Sequence, residues 1–179
     1  MSQDISQDGR PDQLPAPKRA VRNDWTVHPI VEPKTADWDV PLNEGMLERL
    51  LLGFVPTAME EKWFVYADGQ GLDSADGELT LHFVRSWGCN EVARVKTVRE
   101  RGDDVTDGMP AARFTGITWD QKTWKNGNVN GRQTKEMVRD LCRLVMFVEL
   151  PGGEEDEYDM EEEGRMKRRW WMMLMFWRS

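Results

Sequence analysis

Hydrophobic and polar positions recur with two different periods along the chain, and the change of period marks its elements. Over residues 42–54, Leu42, Met46, Leu47, Leu50, Leu51 and Phe54 fall at three- and four-residue spacings. That spacing puts them on one stripe of a helix. Asn43 stands where an N-cap belongs, Gly53 where a helix stops, and Pro56 follows. A second helix is predicted over 134–148, with Met137, Val138, Leu141, Cys142, Leu144, Val145 and Val148 on its apolar side. Pro151, Gly152 and Gly153 end it.

Between the helices the period falls to two. Residues 62–67 (KWFVYA) read as a strand by their aromatic and β-branched content. Over 78–87, Leu79, Leu81, Phe83, Arg85 and Trp87 take one face, while Thr80, His82, Val84 and Ser86 take the other. Gly88 turns the chain, residues 92–98 return, and 114–119 supply a fourth strand. The links among the first three are too short for a parallel crossover, so an antiparallel meander follows. The expected fold is α+β: an antiparallel meander sheet of about four strands packed against two helices, in a single domain over 41–150.

The flanks differ in character. Residues 1–24 are polar, rich in Pro, Gln and Asp, and without periodicity. From 25 to 40 single aromatics and prolines alternate with polar residues, as in extended chain with a Trp docked onto the domain. Residues 1–40 are therefore expected to be a disordered or extended N-terminal arm. Residues 151–179 are expected to be a disordered tail, acidic and then basic-aromatic. Eight of the ten residues over 154–163 are acidic, and eight consecutive apolar residues over 170–177 follow Lys167, Arg168 and Arg169. Two readings of that last run stand: a membrane-surface anchor, or coding sequence foreign to the domain, such as a misassigned final exon. Its apolar residues would occupy every helix face, which favours the second.

Composition narrows the class. A chain of 179 residues fits one domain, and 39% apolar with 31% charged residues allows a core. The net charge of -8 argues against a nucleic-acid partner, although the acidic tail carries much of it. Two cysteines, Cys89 and Cys142, make no disulfide framework. With no secretory signal, no Asn-x-Ser/Thr sequon and no spanning apolar run, the expected location is cytoplasmic.

Several chemistries drop out. Only His28 and His82 exist, without paired Cys or Cys-His spacing, so no metal is expected. Asp103 and Asp104 lack the ligand alternation of a calcium loop. No phosphate-cradling glycine motif precedes a helix, so no cofactor is expected. His82 and Ser86 share a strand face about 13 Å apart and cannot hydrogen-bond along that strand. His82 with Cys89 across the turn is the remaining nucleophile arrangement.

Arg85 follows three apolar residues on its face, so its guanidinium is either paired or reaches the sheet edge. The structural reading is a bridge to Glu60 or Glu61, stacked on Trp87. The functional reading is an anion-binding Arg beside a stacking Trp, which suits a phosphorylated or nucleotide-like ligand. The candidate ligand-binding residues are Glu60, Lys62, Trp63, His82, Arg85 and Trp87; a catalytic residue is not assigned.

MEEKWFVYADG and LTLHFVRSWGCNEVARVKTV together resemble a family of small uncharacterised proteins with the pattern M-E-D-K-W-F-I-Y, an acidic-glycine loop, then H-F-H-R-S-W-T-G. Met59, Glu60, Lys62, Trp63, Phe64 and Tyr66 fit the first half. His82, Phe83, Arg85, Ser86 and Trp87 fit the second, and the likeness covers about residues 42–100. Val84 stands in place of a second His, and Gly88-Cys89 in place of Thr-Gly. If that His is catalytic in the family, this chain is implied to be inactive or a binder. The resemblance implies a fold, singles out Glu60, Lys62, Arg85 and Trp87, and associates the chain with an ADP-ribose-related ligand.

The expected function is a ligand-binding or interaction module, with a small molecule or a protein as partner. The alternatives are an enzyme acting on a phosphorylated or nucleotide-like small molecule, with Glu60 or His82 as acid/base, and a membrane-peripheral protein held by the C-terminal tail.

Overall fold

The structure, a computed structural model, describes residues 18–58, 60–72, 77–100, 110–122 and 129–152. Residues 1–17, Asp103, Asp104 and the tail expectations over 154–179 lie outside the described residues. In chain order the elements are β1 (Pro33–Leu42), α1 (Glu44–Leu52), β2 (Trp63–Asp68), β3 (Gly77–Arg85), β4 (Asn90–Arg99), β5 (Ala112–Asp120) and α2 (Gly131–Met146). The strands form one antiparallel sheet in the order β1-β5-β4-β3-β2. The α+β architecture is as the sequence implied, with one strand more.

That extra strand is β1. The segment read as an arm over the domain is an edge strand, paired with β5 from Pro33 to Leu42. Its Trp38, Val40 and Leu42 enter the core while Asp37 and Asp39 face out. Pro33 and Pro41 and a register shift between Asp37 and Val40 disguise the alternation. β1 and β2 occupy opposite edges of the sheet, so α1 carries the chain across one face.

Both helices start and stop on local chemistry. The Asn43 side chain accepts from the Met46 amide and caps α1, and Gly53 ends it at φ 66. A side chain at Gly53 would strike the Val65 carbonyl, so that end is reserved for glycine. Asn130 and Gln133 form a reciprocal capping box on α2. α2 closes at Met146 with Phe147 in the left-handed conformation, earlier than the Pro-Gly-Gly run suggested. Leu144, expected on the buried side, is exposed, and Thr134 and Met146 take up the stripe. From within α2, Arg139 lies over the Trp38 ring and donates to the carbonyls of Leu150, Pro151 and Gly152, fastening the chain beyond the helix back to the sheet.

The core lies between the helices and one sheet face, built from alternate strand residues such as Val65, Leu81, Phe83, Val95 and Phe114. A smaller cluster forms on the other face, where Ala20, Phe64, Tyr66 and Val84 pack with Trp25, Val27 and Val55. It exists because residues 18–32 cross that face as a strap. The Trp25 indole donates to the Ser86 carbonyl, and its ring stacks on Phe64. His28 bridges Cys89 and Glu91 through its backbone. The expected Trp docking is thus made by Trp25, while Trp38 belongs to the sheet. Among the described residues no helix is long and apolar enough to cross a membrane.

One core position is under-satisfied. The Thr97 hydroxyl is fully buried with no hydrogen-bond partner among the described residues, opposite Leu79 and Phe114 in the ladder. An unpaired buried hydroxyl costs about 1–3 kcal/mol. Thr97→Val is therefore expected to raise stability by about 1 kcal/mol in urea unfolding. A loss of that size would show that the hydroxyl has a partner.

Candidate functional site

Antiparallel pairing of β2 with β3 sets Trp63 opposite Arg85 and Tyr66 opposite His82. Because side chains alternate, the two rungs project from opposite faces of the sheet. The expected residues therefore divide. Trp63 and Arg85 stand on the helix-covered face at the end of the ladder, and His82 stands on the face that the strap partly covers. Glu60 is exposed in the turn before β2, and the Lys62 carbonyl accepts the Ser86 amide. Trp87 lies past the end of β3 and is 63% exposed.

The His82 cluster is held from three sides. Its Nδ1 lies 2.6 Å from Glu91 Oε1, its Nε2 lies 3.1 Å from Asp68 Oδ1, and its ring stacks on Tyr66 with centroids 4.5 Å apart. A carboxylate oxygen accepts, so the ring donates from a nitrogen that carries a proton. Glu91 is 3% exposed, and its second oxygen accepts the Ile30 amide of the strap. Asp68 is half exposed at the surface end. Burial, with the Glu91 and Asp68 charges adding, pushes the Tyr66 phenol up to about 12; Arg22 works the other way. With both ring nitrogens engaged, His82 is not paired with Cys89, whose sulfur contacts the Ser86 carbonyl. Ser86 points its hydroxyl to the Glu61 carbonyl, away from His82.

Glu91, Asp68 and Tyr66 were not singled out from the sequence. The available signal was Glu91 itself, a charge at the start of an apolar strand, nine residues after His82. Its burial depends on the strap, which pattern alone does not place.

The Arg85 site is of another kind. The guanidinium carbon stands 4.9 Å from the Trp63 ring centre, and Trp63 is buried. Burial lowers the Arg85 pKa from its ordinary value, with no compensating carboxylate among the described residues. The expected bridge to Glu60 or Glu61, stacked on Trp87, is not formed among the described residues; the stacking partner is Trp63. Glu61 instead binds the amides of Thr57 and Ala58 and the Thr57 hydroxyl, which holds its carboxyl below the usual range. Arg85 is half-buried as a residue. It is a partly desolvated cation with an aromatic ring against it.

Among the described residues no group of three or more His, Cys, Asp and Glu side chains is placed to hold a metal ion. Cys142 is buried, which pushes its thiol up to about 12 and leaves it a packing residue. No family model, no curated protein and no solved structure matches this chain.

The two carboxylates on His82 are expected to differ in weight. Glu91→Ala strands the buried imidazole and the Ile30 amide and should cost about 2–4 kcal/mol in chemical unfolding. Asp68→Asn, at a half-exposed pair, should cost less than about 1 kcal/mol. Equal losses would contradict the assignment of Glu91 as the anchor.

Proposed function

We propose that the chain is a ligand-binding or interaction module whose Arg85 takes an oxyanion of a small molecule or a protein partner. The observation that carries this reading is the Arg85 guanidinium, part-buried on Trp63 without a carboxylate among the described residues. A cation that has lost part of its hydration and has no counter-ion gains most from an incoming oxyanion. Trp87, two positions further along the chain, is exposed just past the end of β3.

The division of the ladder favours binding over catalysis. An enzyme site built from Arg85, Trp87 and His82 together needs them on one face, and His82 faces away from Arg85. His82 also has a carboxylate on each nitrogen, an arrangement suited to orienting a ring more than to accepting a substrate proton. A cytoplasmic setting is part of the same reading, supported by the two free cysteines Cys89 and Cys142.

A thermal-shift series with inorganic phosphate, pyrophosphate and nucleotides, ADP-ribose included, tests the reading. A bound oxyanion at 100-fold its Kd stabilises by about 2.7 kcal/mol, a shift of several degrees. Arg85→Lys retains the charge but lacks the two-pronged fork, and it should abolish the shift. A shift that persists in Arg85→Lys, or silence across the series, would remove a small oxyanion as the ligand.

A further inference from the structure

We propose that the strap over residues 18–32 is a proton-linked cover, docked while a proton sits in both His82 contacts and loosened when one is lost. The Nδ1 contact to Glu91 at 2.6 Å and the Nε2 contact to Asp68 at 3.1 Å each bring a ring nitrogen to a carboxylate oxygen. At such distances each contact needs a proton between its atoms, whichever atom carries it, because two lone pairs face to face repel. A free histidine and two free carboxylates near neutral pH carry a single proton among them. Closing both contacts therefore takes up a second.

The two ends differ in what the loss of that proton costs. Asp68 has half its side chain in solvent and can turn to water. Glu91 is 3% exposed and meets water only when it is uncovered. Beside a ring that holds one proton, its carboxylate is a buried charge without a cation, which is the costly case. What covers it is the strap. One Glu91 oxygen accepts the Ile30 amide, the Glu91 amide donates to the His28 carbonyl, and the His28 amide donates to the Cys89 carbonyl. Lifting the strap at Ile30 rehydrates Glu91, so proton uptake and strap docking favour one another. Because the docked state holds the extra proton, docking is strongest on the acid side of the titration and weakens as pH rises through it.

The surroundings leave these two contacts as the sensitive element. On β2 the Tyr66 ring stacks on the imidazole at 4.5 Å, and its phenol, pushed up to about 12, keeps its proton near neutrality. On β4, Arg94 stands opposite His82, with Lys96 one rung further. The strap brings Arg22 beside the Tyr66 phenol and Arg19 onto the Ala67 carbonyl. Arginine and lysine ordinarily titrate well above histidine. His28 joins the cluster through its backbone, and as a residue it is exposed.

Amide hydrogen exchange of the full chain from about pH 6 to about pH 9, above the ordinary carboxylate range, tests this. Asp68→Asn is the reference. Its side-chain amide donates to Nε2, so both contacts close with one proton on Nδ1 and the pH dependence of the strap is lost. Dividing the wild-type rate by the Asp68→Asn rate at each pH cancels the base-catalysed intrinsic rate and any contribution of His28. For the Ile30 and His28 amides that ratio is expected to rise with pH, with about tenfold per unit as the limit for one proton. For the Phe114 amide in β5 it should stay flat. In the wild-type chain alone, the His82 ring and Ile30 amide resonances should titrate at the same pH. A flat ratio at Ile30 and His28, a Phe114 ratio that rises with theirs, or an Ile30 amide that does not follow the ring would overturn the proposal.

Discussion

The pleat of a β-strand sends neighbouring side chains to opposite faces, and in β2 and β3 that single constraint separates two kinds of chemistry. Trp63 and Arg85 form the last rung on the helix-covered face; Tyr66 and His82 form a rung on the other. A slip of one residue in the pairing would exchange them, burying Arg85 under the strap and sending His82 toward the core. The register is held by what each face buries. Val65, Leu81 and Phe83 lie in the main core, and Phe64, Tyr66 and Val84 lie under Trp25 and Val27. Each large apolar side chain so placed contributes roughly 1.5–3 kcal/mol, so a slipped register loses far more than any polar contact returns.

Each face then resolves its ionisable groups differently. On the strap side, Glu91 is a buried carboxylate with both oxygens used, one on His82 and one on the Ile30 amide. A buried charge so completely paired fixes geometry: it sets the imidazole and draws the strap onto β4. On the helix side Arg85 is left with a ring and no counter-ion among the described residues. The contrast is informative because the chain has carboxylates close by. Glu61 caps its own turn at Thr57 and Ala58, and Glu60 stands exposed.

Much of the architecture was legible in the sequence because the signals were local. The stripes of α1 and α2, the Asn43 cap and the Gly53 stop depend on residues within a few positions of one another. Strand β1 was harder to see. Its outward face must be polar because the sheet is open on that side, so Asp37, Asp39 and two prolines masked the inward Trp38, Val40 and Leu42. The candidate site was legible as residues and not as partners. Arg85 was singled out correctly as a charge on an apolar face. Its stacking partner was misassigned to Trp87, because Trp63 reaches it only through the register of two strands. Glu91 escaped notice for a similar reason, since its burial is produced by a strap sixty residues earlier in the chain.

In the proposed function the Arg85 face binds, while the His82 face holds the fold. Side-chain NMR of the Arg85 guanidinium, the Trp63 and Trp87 indoles and the His82 ring during titration with AMP reads both faces in one experiment. The Arg85 resonance is expected to move saturably, while His82 stays fixed. Movement centred on His82, with Arg85 still, would contradict this assignment.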